Sequence, residues 1–136
     1  MAKIKVSEAT GAVLDYMVAK ANNHTISYDG IGYWIVGPGL CKLIGPQWNS
    51  GGRNYGWSPS TNGNDAVPII EREKITLTYD AEDQTYSAHI AAFRQKGQSL
   101  KTRWKQGPTA LIAAMRCHVA AELGDEVEVP DELIGA

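Results

Sequence analysis

Four of the six prolines and seven of the fourteen glycines lie between residues 37 and 68, so regular structure must be built around this stretch. Proline removes a backbone donor and glycine loses much freedom on ordering, so neither suits a helix interior or a central strand. The same stretch holds Trp48, Tyr55 and Trp57. Disordered linkers are poor in aromatics, and a long loop inside a compact domain is usually functional. We therefore read an irregular, aromatic-bearing loop flanked by ordered segments.

On the N-terminal side, Lys3-Ile4-Lys5-Val6 alternates as a short edge strand does. Ser7 or Thr10 can cap a helix running to about Ala21, with Leu14, Met17, Val18 and Ala21 as its apolar stripe. Thr25 to Tyr28 and Ile31 to Val36 flank Asp29-Gly30, a two-residue hairpin signal. Beyond the loop, Ile69-Ile70 reads as the start of a strand. Lys74 to Tyr79 is a second, with Ile75, Leu77 and Tyr79 on one face, and Gln84 to Ile90 returns as its partner. Residues 94 to 106 read as a basic loop.

Gly107-Pro108-Thr109 opens the best-signalled helix, with Gly107 as its cap and Pro108 at its first position. Ile112, Met115, Val119 and Leu123 make its buried stripe, and Gly124 stops it. An acidic tail extends around Pro130. These elements predict one α+β domain over residues 1–136: a small antiparallel sheet packed with an N-terminal and a C-terminal helix, and a long irregular Gly/Pro/Trp loop in the middle.

An apolar content of 43% supports one core without disulfides or metal. A net charge of -2 removes bulk electrostatic attraction to nucleic acid or membrane. Cys41 and Cys117 form no CxxC pair and no secreted disulfide framework. The chain starts without an apolar signal core, and its longest weakly polar run, Ala110 to Ala121, is broken by Arg116 and His118. The expected location is the cytoplasm, with no membrane partner.

The run Gly107-Pro108-Thr109-Ala110-Leu111-Ile112-Ala113-Ala114-Met115-Arg116-Cys117, continued by Val119 to Pro130, resembles the NinX-like family of bacteriophage proteins. Lys5 to Gly11, Leu14-Asp15 and Val18-Ala19-Lys20 agree with it, as do Ser58-Pro59-Ser60-Thr61 and Pro68 to Glu73. The resemblance implies a tailed-phage or prophage origin, hence a host bacterial cytoplasm. It carries over no catalytic residues and no cofactor.

Catalytic chemistry fails on spacing. His24, His89 and His118 sit in no H-E-x-x-H and no Cys/His cluster with zinc spacing, so no metal is expected. Cys117 and His118 are adjacent and point about 100° apart on a helix, which reads as a structural cysteine beside a surface or boundary histidine. Gly51-Gly52 and Gly30-x-Gly32 lack the flanks of a phosphate loop. Glu71-Arg72-Glu73-Lys74 reads as the solvated beginning of a strand rather than a carboxylate pair. The chain is expected not to be an enzyme.

Two segments carry binding chemistry. The first is residues 45–61, where Trp48, Tyr55 and Trp57 offer flat faces, Arg53 a cation, and Ser58, Ser60 and Thr61 hydroxyls. Each aromatic has a structural alternative, pinning the loop to the sheet. The second is the acid-free run from Gln84 to Ala121, where Arg94, Lys96, Lys101, Arg103, Lys105 and Arg116 are basic. There Trp104 can stack on a base, and Gly107 and Thr109 bring in a helix N-terminus that favours an anion. The acidic tail can instead neutralise this stretch.

The expectation is a non-enzymatic accessory protein that binds or sequesters a small anionic, nucleotide-like ligand, in counter-defence and as a homo-oligomer. Trp57-Ser58-Pro59-Ser60 followed by Asp65 is similar to a stretch of small phage nucleotide-sequestering proteins. The alternatives are a nucleic-acid or recombination accessory and a protein-protein inhibitor of a host enzyme.

Overall fold

The computed structural model describes residues 1–37, 40–45, 49–50, 53–54, 56–90 and 104–134. Strand β1 (Ala2–Lys5) leads through a 3-10 turn (Val6–Glu8) into α1 (Gly11–Ala21). β2 (Thr25–Tyr28), β3 (Tyr33–Gly37) and β4 (Leu40–Ile44) follow as an antiparallel meander. Asp29 builds the β2–β3 turn. Its Oδ1 accepts from the N–H groups of Ile31 and Gly32, both at 2.8 Å, and its Oδ2 from Trp34 Nε1 at 2.8 Å. Those three donors hold its carboxyl below the usual carboxylate range.

The central stretch holds more regular structure than its glycines and prolines suggest. β5 (Asn49–Ser50) pairs with β6 (Arg53–Asn54), and β7 (Gly56–Trp57) adds to β4 in parallel. The largest difference is α2 (Gly63–Glu73), which takes in Ile69-Ile70 and Glu71 to Glu73 as helix, not strand. Asn62 caps it by accepting from Asn64 N–H, and Lys74 closes it in the left-handed region at φ 56°. Pro68 is tolerated on its exposed side.

β8 (Ile75–Asp80) and β9 (Thr85–Ile90) form the expected hairpin. β10 (Trp104–Gly107) extends it from within the segment read as a basic loop. α3 (Ala110–Leu123) starts later than expected: Thr109 is its cap, its hydroxyl accepting from Ile112 N–H at 3.2 Å, so Pro108 and Gly107 lie outside. β11 (Glu126–Val129) returns antiparallel to β1, setting Lys3 opposite Glu128 and Lys5 opposite Glu126, and α4 (Asp131–Ile134) follows.

α3 is buried continuously from Ala113 to Ala121, where a single stripe was expected, and Leu123 is exposed. It packs against the β8–β9–β10 sheet and against α1 and α2. A helix with small apolar residues on every side accepts neighbours all round. The core joins it to Leu14, Met17 and Val18 of α1, Ile35, Ile44, Ile69, Ile75 and Val129.

At Gly107 a Cβ would stand 2.7 Å from the backbone N of Ala113 and 3.1 Å from its Cα. Gly107→Ala should therefore lower stability by about 2 kcal/mol, the usual scale of overpacking against rigid backbone, as read by denaturant unfolding. An unchanged midpoint would show that β10 and α3 can separate freely.

Candidate functional site

Asp15 is the one carboxylate on α1, and it is fully buried. Its Oδ2 accepts from Ser58 Oγ at 2.7 Å and its Oδ1 from the Ser60 N–H at 2.9 Å. Ser58 N–H donates to Asp65 Oδ2 at 3.0 Å, and Ser58 Oγ lies 2.7 Å from Thr61 Oγ1. A hydroxyl has one hydrogen. Ser58 gives its hydrogen to the carboxylate, so Thr61 donates to Ser58. This chain leaves Thr61 lone pairs, rather than a donor, toward the exterior.

A cleft of about 340 Å³ opens there, lined by Gly45, Gly56, Ser58, Thr61, Asn62 and Asp65. Thr61 and Asp65 present acceptors to it, and Gly63 brings the N-terminal end of α2 to the same cleft. Burial raises the Asp15 carboxyl to about 6, against the hydrogen bonds from Ser58 and Ser60 that lower it, and the nearby Asp65 charge adds to the rise.

A second cleft, of about 650 Å³, lies between β9, β10 and the start of α3, lined by Ser7, Thr85, Trp104, Lys105, Gly107 and Arg116 among others. Trp104 is half-exposed. Lys105 Nζ pairs with Asp125 at 2.9 Å. Arg116 is buried; its Nε donates to Ala9 O at 3.0 Å and its Nη1 to Gln106 O at 2.9 Å. Among the described residues no carboxylate lies within 4 Å of it, and burial lowers its pKa. Thr85 Oγ1 is buried without a hydrogen-bond partner among the described residues.

The expected binding residues are thus divided. Ser58, Ser60 and Thr61 meet around Asp15, with Ser60 itself inside the protein. Trp57 packs edge-on against His24, ring centroids 5.9 Å apart, and lines neither cleft. Trp104 and Gly107 line the basic cleft, while Thr109 spends its hydroxyl on capping α3. Trp48, Tyr55, Arg94, Arg103 and the side chain of Arg53 lie outside the described residues. Asp15 and Thr85 were missed. The available signal for Asp15 was one acid in the otherwise apolar run Ala12 to Ala19.

Cys117 is buried, and burial pushes its thiol up to about 12, leaving it unreactive at neutral pH. Its neighbour His118 is buried too, against the expectation of a surface or boundary position.

Residues 5–122 match the protein family described as Bacteriophage P22, NinX. The chain belongs to this family. The NinX match spans Asp15, the 58–65 turn and the basic cleft, and it supports a phage accessory protein. No curated protein matches the chain. Among the described residues of this NinX-family chain, no helix is long and apolar enough to cross a membrane.

The Asp15 shift has a definite pH signature. Between about pH 4 and 6 the unfolded chain has lost this proton while the folded chain keeps it, so the contribution of Asp15 to stability falls as pH rises through that window, opposite in sign to that of buried His118, whose pKa burial lowers. The loss should be about 3 kcal/mol. Asp15→Asn keeps an acceptor for Ser60 N–H without a charge to bury. Across this window the unfolding free energy of the parent should fall relative to that of the variant by about 3 kcal/mol, and parallel profiles would place the origin elsewhere.

Proposed function

We propose that this NinX-family protein is a phage accessory protein that binds a small anionic, nucleotide-like ligand and holds it unchanged. The observation that carries this reading is Arg116: a buried guanidinium bonded to two carbonyls, with no carboxylate beside it among the described residues, at the wall of a cleft. A desolvated charge without a counter-ion favours an incoming anion. Lys105 stands beside it with its charge shared by Asp125 at 2.9 Å, and the half-exposed Trp104 offers a face for a base. The volume of about 650 Å³ suits a nucleotide-sized guest.

No histidine, cysteine or carboxylate belongs to this cleft's described lining, which favours holding over chemistry. The 340 Å³ cleft fits an anion poorly because Asp65 and the Thr61 lone pairs face it. For a phage, holding such a ligand would serve to withdraw a host defence signal.

Calorimetry against AMP, a cyclic nucleotide and ADP-ribose tests the proposal. Saturable binding to at least one is expected, weakening as salt rises. Trp104→Ala should reduce affinity about tenfold, the scale of one lost stacking contact, with the melting temperature kept because Trp104 is half-exposed. No heat from any of the three overturns the reading. Binding only to polymeric DNA or RNA would overturn it in favour of a nucleic-acid accessory.

A further inference from the structure

We propose that Glu73, His118 and Glu122 form a binding site for a divalent transition-metal ion where the end of α2 meets α3. Spacing along the chain rules out a Cys/His cluster, but the fold assembles a different donor set. Glu73 is the last residue of α2, and His118 and Glu122 stand four apart on α3, one above the other on the same face. Their ligand atoms all lie within 4.8 Å of one another.

The hydrogen bonds around His118 decide which nitrogen is available. Arg72 Nη2 donates to Asn22 Oδ1 at 2.8 Å, and a guanidinium can only donate, so that Asn22 atom is an acceptor. His118 Nε2 lies 2.8 Å from the same oxygen and must carry the ring hydrogen. In the neutral ring Nδ1 is then a bare lone pair. It is buried, it has no hydrogen-bond partner among the described residues, and it lies 3.6 Å from Glu73 Oε1.

Two acceptors thus face each other across a gap that needs a positive charge. A bound cation fills that need, and Glu122 offers a further oxygen to the same point. Donors about 2.1 Å from a tetrahedral ion stand about 3.4 Å apart, close to the 3.6 Å between His118 and Glu73. Glu122 is exposed and can swing in to complete the set.

One imidazole and two carboxylates favour Zn²⁺ or Fe²⁺ over Mg²⁺ or Ca²⁺. Three protein ligands leave a fourth position open. Asn22, by accepting from Nε2, sets the tautomer and ring angle that metal-bound histidines need. Arg72, 3.7 Å from Glu73 Oε2, braces the other carboxylate oxygen.

The test is a Zn²⁺ titration of the full chain in competition with a chromophoric chelator at neutral pH. It should carry Cys41→Ser to remove the exposed thiol. Stoichiometric binding is expected, undisturbed by excess Mg²⁺, together with a rise in melting temperature. Glu122→Gln and Glu73→Gln should each weaken Zn²⁺ binding by roughly tenfold or more, with circular dichroism unchanged. Co²⁺ in place of Zn²⁺ should give visible absorption bands that both variants reduce. Absence of stoichiometric binding overturns the proposal. So does Zn²⁺ affinity that neither variant alters, which would locate the ion elsewhere on the chain.

Discussion

The fold hangs on burying α3 along its whole middle, from Ala113 to Ala121, including two polar side chains that must find partners there. The apolar part of that burial is non-directional and would allow many arrangements. Arg116 and His118 remove that freedom, because an unpaired buried polar group costs more than a poor apolar contact. Arg116 reaches the carbonyls of Ala9 and Gln106, tying the start of α1 and strand β10 to the helix. His118 reaches Asn22 just beyond α1. The positions of β10 and of both ends of α1 thus follow from two side chains of one helix.

The sequence made legible the parts whose signals are local. The β2–β3 hairpin, whose loop runs from Asp29 to Gly32 rather than over the two residues Asp29-Gly30, the β8–β9 hairpin and α1 each depend on residues within a few positions of one another. α2 was hidden because Gly63 and Pro68 read as breakers, although Pro68 sits on an exposed face and Asn62 supplies a cap. α3 was found but given one buried stripe, since the alanines that admit neighbours on its other sides carry little periodic signal. β10 was concealed by its polar composition, Trp104-Lys105-Gln106-Gly107.

The same division governs the site. A run of hydroxyls at 58–61 and a run of cations before α3 could both be read from the chain. What could not be read was that Ser58 and Ser60 turn inward onto Asp15, which is 43 positions from Ser58. Nor could spacing show that Glu73 would meet His118 across two helices. Such long-range pairings are products of packing, and they separate an acceptor-rich cleft from a cation-lined one on the same small molecule.

The β1–β11 ladder has a mechanical meaning. Ala2 pairs with Val129 and Lys5 with Glu126, so the outer ends of both strands lie at the same end of the ladder. Tension between those ends would peel the strands apart one pair at a time, like a zipper, instead of shearing all the bonds at once. Beyond the last pair the load would reach Val6, which donates to Asp125 O at 2.8 Å, and then the turn into α3. The helix on which the fold depends is thus shielded from a pull at these ends by only a short, sequentially opening seam.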